Sequence, residues 1–201
     1  RMAAQFAADR RLYDQIWMQR RRRTLPDPAF VFLVDCSGSM KNDGKSIAGF
    51  ESPVIVREAC SRAGLKFSVI VFNDVSRLAH GWEPQSDAAS EAALSAVLRP
   101  QGGTDLEGAL VHAGGFLQQR PERDRMIFLL SDGMVGEPQE GRIRAYREEL
   151  LREGIGIVAI GLGAETAEIG RVFPGAPVLD EASELPRTLS GCLLEALSSV
   201  A

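Results

Sequence analysis

Short runs of nearly unbroken apolar residues, each closed by a polar turn, constrain this chain more than any other feature. Phe30 to Asp35, Lys66 to Phe72, Met126 to Leu130, Ile155 to Ile160 and the weaker Pro177 to Leu179 read as strands. A strand that is apolar at consecutive positions is buried on both faces, as in parallel sheets covered by helices. Helical stripes separate the runs. Leu106, Ala109, Leu110, Ala113, Phe116 and Leu117 form one, over residues 104 to 119; Ile143, Tyr146, Leu150 and Leu151 form another, with Pro138 suited to its first turn and Gly154 to its stop. Leu185, Leu189, Leu193, Ala196 and Val200 mark a last helix. Between residues 46 and 63 Gly49 and Pro53 interrupt the pattern, so the helix there is predicted to start near Ser52. Asn73-Asp74 is a turn between Lys66 to Phe72 and a short polar strand near Ser76 to Ala79, which predicts one antiparallel edge hairpin. The expected fold is α/β: a doubly wound, mostly parallel, Rossmann-like sheet of six strands with helices on both faces. Ligands of such sheets bind at the carboxyl ends of the strands, where the strand order reverses.

Charge and cysteine content narrow the function classes. The chain of 201 residues has a formal net charge of -4, but residues 1 to 23 hold seven arginines against Asp9 and Asp14, so the remainder carries -9. An acidic body is a poor nucleic-acid surface and a suitable place to hold a divalent cation. Phe6, Leu12, Tyr13, Ile16 and Trp17 stand at near-helical spacing before Arg20 to Arg23, and residues 1 to 28 read as a basic helical connector and linker ahead of a domain at 29 to 201. The chain opens on Arg1, which reads as part of a longer protein. No apolar run approaches the roughly 20 residues needed to span a bilayer. Cys36, Cys60 and Cys192 are too few and too scattered for a disulfide framework or a thiolate zinc site, which favours a cytoplasmic location.

Three loops at the predicted carboxyl edge hold the chemistry. The first strand runs into Asp35-Cys36-Ser37-Gly38-Ser39, the helix of residues 104 to 119 opens with Gly102-Gly103-Thr104-Asp105, and the strand Met126 to Leu130 ends in Ser131-Asp132-Gly133. Carboxylate and hydroxyl oxygens without histidine or thiolate suit Mg²⁺ or Mn²⁺. Taken singly, Ser37 to Ser39 and Asp132-Gly133 are ordinary turn formers and Thr104 an ordinary helix cap. Their placement together on one sheet edge is what those readings leave unexplained.

With these elements in this order, the sequence from residue 29 to about 200 resembles a von Willebrand factor A domain with a complete metal-ion-dependent adhesion site. The D-x-S-x-S element is Asp35, Ser37 and Ser39, the distant threonine is Thr104, and the distant aspartate is Asp132. The resemblance implies that the hydroxyls of Ser37, Ser39 and Thr104 coordinate the ion, that Asp35 and Asp132 bind it directly or through water, and that one coordination position stays open for a Glu or Asp of a partner protein. The basic helix ahead of the domain is similar to the arrangement in intracellular bacterial members that work with AAA+ ATPases of the MoxR class, which implies a role in complex assembly or enzyme activation.

Competing chemistries lack parts. Gly44-Lys45-Ser46 ends like a phosphate-binding loop, but the required glycine at position 39 is Ser39. Gly161-Leu162-Gly163 lacks the third glycine of a dinucleotide fingerprint. A Mg²⁺-dependent hydrolase or phosphotransferase of the haloacid-dehalogenase kind needs an aspartate where Ser37 stands, and a lysine that the Thr104 and Asp132 loops lack. His80 and His112 have no second ligand at metal spacing, and Cys36 has no histidine placed to activate it. The chain is therefore expected to be a binding module and not an enzyme.

Overall fold

The computed structural model describes residues 27–41, 60, 65–82, 101–132, 137–163, 167–180 and 184–199. Six strands form one sheet: β1 (Pro28–Asp35), β2 (Lys66–Phe72), β3 (Ser76–His80), β4 (Asp124–Ser131), β5 (Ile155–Leu162) and β6 (Val178–Leu179). Four helices are described: α1 (Leu106–Gln118), α2 (Glu137–Arg152), α3 (Ala167–Val172) and α4 (Leu185–Ser199). The strand order is β3-β2-β1-β4-β5-β6, with β2 and β3 antiparallel and every other pair parallel. β1 therefore stands between β2 and β4, and the order reverses there. This is the expected doubly wound sheet with its antiparallel edge strand. The expected helix between residues 46 and 63 falls outside the described residues except for Cys60, which is helical and buried.

The apolar runs are continuous because both faces are covered. On β1, Phe30, Phe32 and Val34 point into one core with Leu185, Leu189 and Leu193 of α4, while Ala29, Val31 and Leu33 point into the other with α1, α2 and α3. Phe128 of β4 stacks on Phe32 (5.2 Å between centroids) and meets Phe30 edge-on (5.4 Å). His80 belongs to this apolar layer: it is buried and stacks on Phe67 at 4.9 Å. His112, on α1, hydrogen-bonds through Nδ1 with the Ser76 hydroxyl at 2.8 Å, tying the edge strand to the helix.

Strand ends differ from the apolar runs where pairing carries them further. β1 begins at Pro28 and β4 at Asp124 because these two residues pair, and Asp27 N–H donates to the Asp124 carboxylate at 3.0 Å. α2 stops as expected, with Gly154 in the left-handed region at φ +75°. α1 begins later than expected. Its cap is Asp105, whose carboxylate accepts from Gly108 N–H at 3.0 Å, and not Thr104.

The edge opposite the strand carboxyl ends is closed by ions. Glu122 is buried and accepts two hydrogen bonds from Arg120 (2.7 and 2.9 Å) and a salt bridge from Lys66 (2.8 Å). The Arg120 guanidinium lies 4.7 Å over the Trp82 ring, which stacks on Phe116. Arg120, above all, holds the Glu122 carboxyl down at about 2, helped by Lys66 and opposed by burial. A depressed carboxyl adds stability above its unfolded value, near 4.5, and that stability is lost as pH falls toward 2. Glu122→Gln is expected to cost about 1–2 kcal/mol at neutral pH and to remove part of the acid dependence between pH 4.5 and 2. Urea titrations at pH 7 and pH 3 check this; an equal loss at both would assign the effect to packing.

Candidate metal centre

The switch point of the sheet brings two loops side by side. β1 ends in Asp35 and β4 in Ser131, with Asp132 the next residue, and these strands are paired along their length. Asp35 and Asp132 are both about 1% exposed, and neither oxygen of the Asp132 carboxylate reaches bulk solvent. Asp35 is held by two donors: Ser37 N–H to Oδ1 (2.8 Å) and the Ser131 hydroxyl to Oδ2 (2.6 Å). The bond from Ser37 closes a tight turn, which then winds into a short 3-10 helix, Gly38–Lys41. In this turn the hydroxyls of Ser37 and Ser39 lie 3.0 Å apart.

The third loop is joined to the first through the main chain. Gln101 N–H donates to Cys36 O (2.9 Å) and Gly38 N–H to Gly102 O (3.0 Å). On its other side this loop is tied to the β2–β3 turn, with Asp105 N–H on Asn73 O (2.7 Å) and Gly103 N–H on Asp74 Oδ1 (2.9 Å). Thr104 is thus carried to the edge by its backbone neighbours. It is half-buried and, among the described residues, makes no side-chain hydrogen bond to the other four.

All five expected residues stand on this edge. Asp35, Ser37 and Ser39 are linked by hydrogen bonds, Asp132 faces Asp35 electrostatically, and Thr104 arrives on a tethered loop. Two further residues contribute that the motif does not name. Ser131 fixes the rotamer of Asp35, and Asp74 anchors the Thr104 loop. Asp74 was legible only as a turn former, since nothing in the spacing of Asn73-Asp74 shows that its carboxylate reaches a loop 29 residues away.

Burial raises the Asp35 carboxyl above its ordinary range; the hydrogen bonds from Ser131 and Ser37 oppose the rise and the charge of Asp132 adds to it. A cation between the loops would reverse this balance, since it would favour both charged forms. The donors fit a hard divalent ion: two carboxylates and three hydroxyls, with no cluster of three His, Cys, Asp or Glu side chains among the described residues. Cys36 is no competing ligand or nucleophile, because burial, with a smaller contribution from Asp35, pushes its thiol up to about 12.

The Thr104 loop depends on Gly102, which sits at φ +78° with the Asp74 carboxylate against the position a Cβ would take. Gly102→Ala is expected to cost about 1–2 kcal/mol and to displace Asp74. It should also weaken Mn²⁺ binding several-fold through Thr104. A denaturant midpoint and a Mn²⁺ titration both matching the wild type would refute this role for the glycine.

Fold and site together define a doubly wound α/β protein that gathers oxygen donors where its strand order reverses. Residues 30–134, just over half of the chain, match the von Willebrand factor type A domain, and the chain belongs to that family. Solved structures of similar fold include a von Willebrand factor type A protein from Catenulispora acidiphila (19% identity, TM-score 0.64, covering 86% of this chain and 43% of that one). Another is proximal thread matrix protein 1 from the mussel byssus, with a zinc-occupied MIDAS motif (21%, 0.60, 82% and 46%). A third is the conserved hypothetical protein BatB from Bacteroides thetaiotaomicron (14%, 0.63, 85% and 98%). The chain spans less than half the length of the first two, and at these identities the likeness concerns the fold alone. No curated protein matches the sequence. Among the described residues, no helix is long and apolar enough to cross a membrane.

Proposed function

We propose that this chain is a metal-dependent protein-binding module whose site is Asp35, Ser37, Ser39, Thr104 and Asp132, loaded with Mg²⁺ or Mn²⁺. The observation that carries the reading is the pair of buried carboxylates on adjacent strand ends, held beside two hydroxyls 3.0 Å apart. Burial of two like charges is costly unless a cation joins them. Thr104 would complete the donor set from the tethered loop, and a Glu or Asp of a partner protein would take the remaining position. A bound ion supplies Lewis acidity toward that partner carboxylate. The chain's own residues orient the donors and keep water from the two aspartates.

The zinc-occupied motif of the byssal protein supports divalent-metal binding in this fold, and oxygen donors favour Mg²⁺ or Mn²⁺ here. A binding role is favoured over phosphate chemistry because Ser37 occupies the place of the second catalytic aspartate. The sparse cysteines favour a cytoplasmic setting. The basic segment at residues 1 to 23 favours an adaptor role beside a AAA+ ATPase of the MoxR class. Calorimetry with Mg²⁺, Mn²⁺ and Zn²⁺ tests the site: wild type should bind Mg²⁺ or Mn²⁺ with one-to-one stoichiometry, and Thr104→Ala should bind at least tenfold more weakly. No heat of binding at Mg²⁺ on the order of several millimolar, in the affinity range of weak oxygen sites, would defeat the proposal.

A further inference from the structure

Thr104 stands in a loop with no regular structure of its own. Gly102 and Gly103 precede it, and two glycines in a row leave the main chain so free that outside partners must fix where the threonine lies. Four hydrogen bonds do so among the described residues. Gln101 N–H on Cys36 O and Gly38 N–H on Gly102 O join the loop to the end of β1. Gly103 N–H on Asp74 Oδ1 (2.9 Å) and Asp105 N–H on Asn73 O (2.7 Å) join it to the β2–β3 turn. The last two flank Thr104, so the turn grips the chain on either side of the one donor this loop delivers.

Of these four bonds, only that of Gly103 is made by a side chain. The Asp74 carboxylate fills the space that a Cβ at Gly102 or at Gly103 would take, so the two glycines form its seat. Asn73 is buried and folds the turn: its side-chain oxygen accepts from Val75 N–H (3.1 Å), and its main-chain N–H donates to Val75 O (3.2 Å). Asp74 is left exposed at the apex. Behind the turn, Ser76 bonds His112 of α1, the helix that the Thr104 loop leads into. Loop, helix and hairpin thus close a ring through Gly103, His112, Ser76 and Asp74.

We infer, on the basis of the site proposed above, that Asp74 is a positioning residue of the metal centre, which sets the affinity for the ion by holding Thr104 in place and not by its charge. Asp74 acts from outside the donor set, because Gly103 N–H engages Oδ1 and Oδ2 lies over Gly102. Partners that orient metal ligands typically contribute about tenfold to a hundredfold in affinity. Asp74 acts one residue away, through the main chain, so its effect belongs at the lower end of that range.

The test combines Mn²⁺ titration of the full chain and its variants with amide hydrogen exchange of the metal-free protein. Asp74→Ala should bind Mn²⁺ about tenfold more weakly than the wild type. Asp74→Asn retains an oxygen for Gly103 N–H and should recover most of the affinity. In the Thr104→Ala background, Asp74→Ala should cost nothing further, because both act through one hydroxyl. Without metal, Asp74→Ala should speed exchange of the Gly103 amide roughly tenfold, while the Asp105 amide, whose acceptor is main chain, keeps most of its protection. If the wild type takes up no Mn²⁺, the metal site fails and Asp74 loses this role with it. If the wild type binds and Thr104→Ala is weakened, but Asp74→Ala matches the wild type, the site stands and the role of Asp74 falls. That role falls equally if Asp74→Asn is as weak as Asp74→Ala, which would assign the effect to charge, or if the loss persists in full without the Thr104 hydroxyl. An unprotected Gly103 amide in the wild type would overturn it too, and that measurement needs no variant to fold.

Discussion

Asp35→Asn is expected to stabilise the metal-free protein by roughly 1 kcal/mol while removing the stabilisation that Mg²⁺ or Mn²⁺ gives the wild type. Without an ion, Asp35 carries an electrostatic cost from burial first and from Asp132 second, only partly offset by the Ser131 and Ser37 donors. Asparagine keeps both contacts, since its oxygen accepts from Ser37 N–H and its amide donates to the Ser131 hydroxyl. The pH dependence has a definite sign. A carboxyl raised in the folded state adds stability below about pH 4, which is lost as pH rises through the folded value, so the metal-free wild type should gain on acidification relative to Asp35→Asn. Thr104→Ala should behave differently. It leaves metal-free stability near the wild type, because Thr104 is half-buried and lacks a side-chain partner among the described residues, yet it too loses the response to metal. Both variants should lose capture of a Glu-bearing or Asp-bearing partner by at least tenfold, and the double variant should lose no more, because both act through one ion. Thermal melts with and without Mg²⁺ separate the cases. If Asp35→Asn lowers metal-free stability and keeps its metal response, the site serves structure alone.

Phe128→Ala is expected to destabilise the domain by about 3–5 kcal/mol, a large share of the roughly 5–15 kcal/mol that holds a domain of this size. Phe128 is fully buried, and its removal deprives Phe30 and Phe32 of their shared ring contact in the middle of the β1–β4 pair. The surrounding side chains come from sheet and helix at once, so collapse onto the cavity is limited. The folded fraction should still bind metal, because the register that sets Asp35 beside Ser131 and Asp132 is a backbone property of the two strands. Millimolar Mg²⁺ should accordingly restore part of the lost stability. A loss below about 1 kcal/mol in a urea titration would show that this core repacks freely.

These two residues mark what the sequence could and could not display. Phe128 belongs to an apolar run that only a doubly covered strand can bury, so its place in the core was plain from the run. Asp35 was legible because a carboxylate and two hydroxyls follow that strand at alternate positions. α1 starts two residues later than the expected 104, since Thr104 and Asp105 are both good caps and the choice rests on the bond to Gly108. The roles of Ser131 and Asp74 were not legible, because each depends on a partner distant in sequence whose position exists only after the sheet has formed. β6 was expected as a strand and is one, but its shortness comes from Pro177 and the left-handed Gly175, whose effect appears only when the neighbouring ladder is known.

The loops of the metal centre are joined largely by main-chain groups: Cys36 to Phe72, Gln101 to Cys36, Gly38 to Gly102 and Asp105 to Asn73. Peptide groups are common to nearly every amino acid, so most exchanges of side chain at the rim leave these joints intact. Lys41 and Gln101, exposed beside the site, can change in size or charge without disturbing the donors behind them. The scaffold thus separates a buried set of oxygen donors, fixed through the main chain, from a surrounding surface whose side chains take no part in those joints. Successive substitutions at such a rim could therefore alter what the edge of the sheet presents to a binding partner while each leaves the buried carboxylates and hydroxyls where they stand.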